Sequence, residues 1–212
     1  MWNKKYALTR ETTNFEGRLL YRIKALKDFS NVRKGELGGW IEKYSNLSQE
    51  GNCWLYDNSK VYDDAYLSGN ACTAENGRIG GKAIAFDHAW VNGYAQIGGN
   101  ARLSGRAIIF DHAWVYGDAQ VMGRAEVYNY ARVYDAAKVY GDALIFDKAQ
   151  VLGTSRVSGL AKILDDAKIY GNSRIYGNAR ICGSSKICDR AIIHGDAIIR
   201  SVVIDGNTIL DR

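Results

Sequence analysis

Three histidines, His88, His112 and His194, are the side chains in this sequence best suited to acid–base chemistry. An imidazole titrates near neutral pH and can therefore act as a general base. His88 and His112 occupy the same place in two copies of the segment Phe-Asp-His-Ala-Trp-Val, which recurs four hexads later. Neither has an orienting partner beside it in the sequence. We therefore treat both as candidates for a catalytic base, with exposed corner residues as the simpler interpretation.

Other catalytic or metal-binding patterns do not stand out. The four cysteines, Cys53, Cys72, Cys182 and Cys188, have no zinc-motif spacing, and free thiols are the simpler interpretation. The sequence contains no P-loop and no paired catalytic carboxylates. We expect no metal and no cofactor.

A six-residue repeat, or hexad, dominates the sequence. Aliphatic residues recur at every sixth position from Leu55 to Ile199, and only Thr73 and Ala85 depart from Val, Ile or Leu. If these residues are position 1, position 5 is nearly always Ala, with Ser as a sparing replacement. Position 3 is Gly, Asp or Asn, except for Glu75. Because these three types enter left-handed backbone conformations at low cost, position 3 indicates a corner.

The repeat predicts an all-β solenoid. Positions 5, 6, 1 and 2 form a short strand, in which positions 5 and 1 point inward because side chains alternate along a strand. The sequence has 0 prolines, as expected where one continuous sheet uses its backbone N–H groups. Three hexads per coil give a triangular prism of about eight coils. The recurrence after four hexads would also fit four hexads per coil, although we interpret it as a duplication of whole hexads.

These hexads resemble the hexapeptide-repeat, left-handed parallel β-helix. Runs such as 115–120 (Val-Tyr-Gly-Asp-Ala-Gln) and 175–180 (Ile-Tyr-Gly-Asn-Ala-Arg) resemble bacterial and prophage β-helix proteins that are labelled hexapeptide transferases. The segments 22–29 and 35–42 resemble the N-terminal part of the same group. The resemblance implies a single-stranded β-helix with a left hand, and it implies an acyltransferase activity with an acyl-CoA substrate as one function. Standard transferase hexads carry Gly at position 2, whereas here position 2 is often Tyr or Phe.

The two ends of the chain differ from the repeat. Residues 1–48 lack the hexad and form a predicted capping segment, and residues 49–212 form the predicted solenoid. Within the cap, Tyr6–Thr9 and Leu19–Leu26 are the predicted strands of a β-hairpin that covers the first coil. At the other end, the hexad at Ile204–Thr208 is displaced by one residue, which predicts an irregular last coil.

One of the three predicted faces is mainly apolar on its outside. A monomer seldom exposes so large an apolar strip, so we expect an interface, most simply in a homo-oligomer such as a dimer or trimer. The alternative is that the N-terminal segment covers this face and that its rings only stabilise the stack. The predicted interface residues are Trp54, Tyr56, Trp90, Ile108, Phe110, Tyr128, Leu144, Phe146 and Leu164.

The two other faces interleave basic residues with tyrosines. Such a surface can hold phosphates while rings stack on bases, which predicts nucleic-acid binding as an alternative function. The competing interpretation is that these cations aid solubility and are partly neutralised by corner aspartates. The residues that would contact an anion or a nucleic acid are Arg132, Lys138, Arg156, Lys168 and Arg174.

Charge and composition place few further limits on function. The net charge is +5, which permits an acidic partner without requiring one. Residues 1–6 lack the apolar core of a signal peptide and no run of about 18 apolar residues occurs, so we expect a cytoplasmic protein without membrane contact. Our first hypothesis is a non-enzymatic binding or assembly protein, in its narrower form a phage-encoded inhibitor of a host defence protein. Acyl transfer and nucleic-acid binding are the alternatives.

Overall fold

Each hexad forms one side of a coil, as the periodicity predicts. The computed structural model describes residues 4–211 and contains three sheets that run the length of a parallel β-solenoid. Most of its strands are two residues long and comprise positions 6 and 1 of a hexad, as in Glu126–Val127. Residues 1–3 and 212 lie outside the described part. Residues 1–3 belong to the segment 1–6 from which we predicted the absence of a signal peptide.

The strands are numbered β1 to β30 along the chain. Sheet A contains β1 (Tyr6–Phe15), β2 (Arg18–Ala25), β3 (Leu37–Ile41), β5 (Lys60–Val61), β8 (Arg78–Ile79), β11 (Gln96–Ile97), β14 (Trp114–Val115), β17 (Arg132–Val133), β20 (Gln150–Val151), β23 (Lys168–Ile169), β26 (Lys186–Ile187) and β29 (Val203–Ile204). Sheet B contains β4 (Trp54–Leu55), β7 (Cys72–Thr73), β10 (Trp90–Val91), β13 (Ile108–Ile109), β16 (Glu126–Val127), β19 (Leu144–Ile145), β22 (Lys162–Ile163), β25 (Arg180–Cys182) and β28 (Ile198–Arg200). Sheet C contains β6 (Tyr66–Leu67), β9 (Ile84–Ala85), β12 (Arg102–Leu103), β15 (Gln120–Val121), β18 (Lys138–Val139), β21 (Arg156–Val157), β24 (Arg174–Ile175), β27 (Ile192–His194) and β30 (Ile209–Asp211).

The strand pairing establishes three sides per coil. Val127 lies beside Ile145, and Trp90 lies beside Ile108, so each strand pairs with the strand three hexads further along the chain. This register excludes four hexads per coil. The solenoid has about ten coils rather than the predicted eight, because ten of the twelve strands of sheet A belong to coils and only β1 and β2 do not. The left hand of the coils stays a prediction from the resemblance.

Position 3 adopts the left-handed backbone conformation throughout the solenoid. Even Glu75, the residue that departs from the Gly/Asp/Asn rule, has φ of 54°. The aspartates at this position also have a second role, because their carboxylates accept a hydrogen bond from a backbone N–H in the next coil. Asp87 Oδ2 accepts from Gly105 N at 3.0 Å, and Asp135 Oδ2 accepts from Gly153 N at 3.0 Å. These acids therefore stabilise corners that the sheets alone would leave unpaired.

The core consists of positions 1 and 5, as predicted. From Val91 to Ile193 the aliphatic and alanine side chains of these positions are buried along the whole axis. Where Ser replaces Ala, its hydroxyl donates to the carbonyl three residues earlier, as from Ser155 Oγ to Leu152 O at 2.7 Å. The buried hydroxyl is thus satisfied and does not weaken the core.

The N-terminal segment forms the predicted hairpin cap. The first strand, β1, is longer than predicted, whereas β2 is displaced by one residue from the predicted Leu19–Leu26. The two strands meet at a two-residue turn of Glu16 and Gly17, both with positive φ. This geometry matches a type I′ turn, which suits the twist of a hairpin. β2 pairs with β3, and β3 pairs in parallel with β5, so the hairpin extends sheet A. A 3₁₀ helix, Tyr44–Asn46, leads into the next side of the coil.

The predicted irregular last coil is also present. Ile204 pairs with Ile187, which is one residue short of three hexads, and the last strand of sheet C shows the same offset. In residues 4–211 no helix is long and apolar enough to cross a membrane.

Candidate binding surfaces and a histidine–aspartate pair

The outside of sheet B carries a continuous ladder of aromatic rings. The ring of Tyr128 lies between those of Phe110 and Phe146, with centroid distances of 4.7 and 5.0 Å and interplanar angles of 9° and 1°. The ladder forms because these residues share position 2 in successive coils. Alongside it, position 6 contributes Ile108 and Leu144, which are half-buried. We call the outward side chains of sheet B from Trp90 to Leu164 the aromatic face.

The N-terminal segment covers the first part of sheet B. Trp54 is 0% exposed because Tyr6 and Phe29 pack edge-on against its ring. Tyr56 Oη donates to Asn31 Oδ1 at 2.7 Å. Of the nine predicted interface residues, Trp54 is therefore enclosed by the chain itself, and Leu164 is nearly buried at 6% exposure. The other seven lie on a partly open surface, and Trp90 is the most exposed at 37%.

Lys5 anchors this segment in the first coils. Its Nζ donates to Cys53 O at 2.9 Å and contacts Cys53 Sγ at 3.1 Å. Burial lowers the pKa of Lys5 and raises that of the Cys53 thiol. Burial also raises the pKa of Cys72 to about 11. These thiols are thus protonated and enclosed at neutral pH, which is typical of structural rather than reactive cysteines. Within the described residues no cluster of His, Cys, Asp and Glu is placed to hold a metal.

His88 and His112 lie on different corners of the prism. His88 Nε2 is 3.4 Å from Asn70 Nδ2, at the corner between sheets C and B. His112 lies between the rings of Tyr94 and Tyr130 at 5.0 and 5.1 Å, at the corner between sheets B and A. The structure therefore does not bring the two together, and the neighbours that it gives them are an amide and two phenol rings rather than a carboxylate.

The third histidine has the orienting partner that the other two lack. His194 Nδ1 lies 3.1 Å from Asp211 Oδ1, and the His194 ring stacks on Tyr176 at 4.8 Å and 2°. A carboxylate on Nδ1 fixes the tautomer and leaves Nε2 able to accept a proton. The sequence analysis missed this pair because the register slip places the partner one residue short of three hexads away. Stepping three hexads from His194 and allowing for the predicted slip would have found it.

The five predicted anion contacts separate onto two sheets. Lys138, Arg156 and Arg174 form one column on sheet C, since each pairs with the next across a coil. Arg132 and Lys168 belong to a column on sheet A, with Gln150 between them. A corner of the prism divides the two columns, so the five residues are two groups rather than one site.

Each column borders an open groove. The groove beside sheet C has a volume of about 500 Å³ and is lined by Arg156, Arg174 and Arg190 together with neutral side chains. The groove beside sheet A has a volume of about 530 Å³ and is lined by Tyr130, Arg132, Lys148, Gln150, Asp166, Lys168, Ser184 and Lys186. Sequence analysis missed Lys148 and Lys186 as members of this groove, although the column that contains Lys168 continues to Lys186.

Comparison with known proteins gives a match to a bacterial protein. The uncharacterized acetyltransferase YdcK of Escherichia coli (strain K12) is 41% identical over 76 residues, which are 32% of this chain and 23% of that protein. The β-solenoid fold and the similarity to this acetyltransferase together fit a hexapeptide-repeat, transferase-like protein. The chain spans about a quarter of the length of the curated relative that it matches. No family model matches the chain. The prophage part of the resemblance stays a prediction.

Proposed function

We propose that this chain is a rigid binding and assembly protein that associates with a second copy of itself through the aromatic face. The observation that carries the proposal is the stacked ladder of Phe110, Tyr128 and Phe146 on the outside of sheet B. Soluble monomers rarely keep so continuous an apolar strip in water. Large aromatic anchors are also the side chains that dominate association energies.

The geometry of the ladder suits a second copy in particular. Its rings repeat once per coil, about every 4.8 Å along the axis. A second ladder has the same repeat, so two aromatic faces related by a two-fold axis match along several coils at once. An intramolecular role, in which each ring only shields its neighbour, competes with this proposal. The two roles differ in the mass that the protein has in solution.

The Phe110→Glu variant tests the association. We expect the wild type to have the mass of a dimer in light scattering after size exclusion. Because the substitution removes one of the three stacked rings and adds a carboxylate near that of Glu126 on the same face, we expect the dissociation constant to rise at least about 30-fold, corresponding to the roughly 2 kcal/mol of an aromatic anchor.

The matched control is Arg102→Glu, which places the same carboxylate on the exposed outside of sheet C. This variant should keep the wild-type mass, and circular dichroism should show that both variants are folded. A monomeric wild type, or an unchanged mass in folded Phe110→Glu, contradicts self-association through this face. The narrower prediction of a phage-encoded inhibitor of a host protein is supported by the resemblance alone and stays a prediction.

Acyl transfer is a second candidate function, supported by the relative that is named an acetyltransferase and by the His194–Asp211 pair. In this mechanism His194 Nε2 removes the proton of an acceptor hydroxyl or amine as that group attacks the thioester carbonyl of an acyl-CoA. Asp211 stabilises the imidazolium that forms. The C–S bond of the tetrahedral adduct then breaks, the CoA sulfur takes the proton from the His194 imidazolium, and the acyl group stays on the acceptor.

Turnover of acetyl-CoA by the His194→Asn variant tests this candidate. We expect a loss of about 10²- to 10⁴-fold, the usual contribution of a general base. His88→Asn provides the control, because His88 has an amide neighbour at an exposed corner and should keep wild-type turnover. Equal turnover in wild type and His194→Asn, or no release of CoA by the wild type, would remove this candidate.

A further inference from the structure

The groove beside sheet A combines a free aromatic surface with a row of cations. Tyr130 is 59% exposed and ends the stack that contains Tyr94 and His112. One face of its ring lies against His112, and the next coil places Lys148 rather than another ring at the same corner. Tyr130 can therefore accept a further flat group on its free side, as nucleobases do on exposed aromatic side chains.

The cations form a line along the axis. Arg132, Gln150, Lys168 and Lys186 are consecutive neighbours in sheet A, and Lys148 lies beside them at the corner. Four coils at about 4.8 Å per step make this row about 14 Å long. A row of charges is complementary to a linear polyanion, whereas a single small anion is held better by cations that converge on one point.

Among the described residues, none of these four cations forms an ion pair with an acid. The ion pairs formed between residues 4 and 211 involve Arg18, Arg33, Lys43, Arg124 and His194, and none of the four groove cations. The corner acids Asp147 and Asp165 direct their carboxylates to backbone N–H groups of the next coil, at 3.2 and 2.7 Å. Asp166 is the acid that lines the groove, against four cations.

A second aromatic element adjoins the row at its N-terminal end. The guanidinium carbon of Arg132 lies 5.0 Å from the ring of Trp114, which is 41% exposed. A ring is therefore followed by a cation one coil later at two places, Trp114 by Arg132 on sheet A and Tyr130 by Lys148 at the corner. The coils that line this groove present a flat row of side chains without a projecting helix, which suits a single strand whose backbone follows the surface.

We propose that this groove binds single-stranded nucleic acid, with the phosphates along Arg132, Lys148, Lys168 and Lys186 and a base stacked on Tyr130. The proposal does not rest on self-association, because the row of cations is on sheet A and the ladder is on sheet B, and the two adjoin only at the corner of Tyr130. It also narrows the five contacts predicted from the sequence to those of sheet A and adds Lys148 and Lys186.

Fluorescence anisotropy with a labelled oligo-dT about 20 nucleotides long tests the charge row. We expect the double variant Arg132→Gln/Lys168→Gln to weaken binding at about 50 mM salt at least tenfold. We also expect it to reduce the slope of log K against log salt by about 1.4, or about 0.7 for each lost phosphate contact. The matched control is Arg156→Gln/Arg174→Gln, which removes the same charge from the column on sheet C and should weaken binding less than threefold.

Substitutions of two tyrosines test whether a nucleobase stacks on Tyr130. Tyr130→Ala should weaken binding about tenfold, in line with the stacking of one base. Tyr94→Ala removes the ring at the opposite end of the same stack, away from the groove, and should change binding less than twofold. Absence of oligo-dT binding by the wild type at low salt, equal losses in the two double variants, a larger loss for the sheet C variant, or equal effects of the two tyrosine variants would overturn the proposal.

Discussion

Replacing Gly123 by valine is expected to lower the free energy of unfolding by about 3 kcal/mol or more. Gly123 has φ of +71°, a conformation that costs other residues about 1–2 kcal/mol and costs a β-branched residue most. A Cβ atom at this position would also lie 2.8 Å from Gly141 O and 2.9 Å from Gly141 N. The contact is with the backbone of the next coil, which must shift to admit the Cβ. Aspartates at other corners offset such a shift with a hydrogen bond to the next coil, whereas valine has no group that could form one.

Two control variants separate conformational strain from close approach. Gly206 has the same left-handed conformation, with φ of +66°, but nothing lies within 4 Å of a Cβ added there. We therefore expect Gly206→Val to lower the free energy of unfolding by only about 1–2 kcal/mol. Gly123→Asn keeps the close approach but uses a residue type that enters this conformation readily, so its loss should fall below that of valine. Urea unfolding followed by circular dichroism provides the comparison. If Gly123→Val and Gly206→Val lower the free energy of unfolding equally, the contact with Gly141 has no effect on stability and the prediction is wrong.

The Val127→Asp variant is expected to have the larger effect, with a loss of about 4 kcal/mol or more. Val127 is 0% exposed and lies between Ile109 and Ile145 in the middle of sheet B. An aspartate of similar size would bring a carboxyl group into this apolar stack without a hydrogen-bond partner. Because each coil contacts only its neighbours, we also expect the defect to separate the solenoid into two halves and to broaden the unfolding transition.

Val203→Asp is the matched control for this variant. Val203 lies on the outside of sheet A in the last coil and is 60% exposed, so the same chemical change should alter the free energy of unfolding by less than about 0.5 kcal/mol. Urea unfolding of both variants measures this difference. The slope of the free energy of unfolding against urea concentration should also be compared. A folded Val127→Asp protein with wild-type stability would contradict an apolar, water-free core at this coil.

Both variants depend on the same property of the molecule, which also explains its candidate sites. A solenoid that repeats every three hexads places like side chains in columns, so one stacked ladder or one row of cations arises from residues far apart in the chain. The ladder of Phe110, Tyr128 and Phe146 and the row from Arg132 to Lys186 are two such columns on neighbouring sheets. Association and nucleic-acid binding can therefore be removed separately by substitution.

The sequence by itself determined the repeating part of this protein. Whether Val127 points inward and whether Gly123 turns a corner are local properties of a six-residue unit, set by strand alternation and by the conformations open to each residue type. The six-residue period left three or four hexads per coil open, so the columns follow only from the strand pairing, which shows three. The hairpin and the slipped last coil were predicted in the same way, from the places where the period ends.

The tertiary structure decided what does not repeat. Lys5 contacts Cys53, and Tyr6 packs against Trp54, across a stretch of chain that carries no period, so spacing provides no register for these contacts. For this reason we predicted Trp54 as an exposed interface residue, whereas the N-terminal segment encloses it. Asp211 reaches His194 because the last coil is one residue short. The groove beside Tyr130 is open because the next coil has Lys148, and not another ring, at the same corner. Periodic contacts follow from spacing once the number of hexads per coil is known, whereas the N-terminal segment has no period from which its contacts with the first coils could be derived.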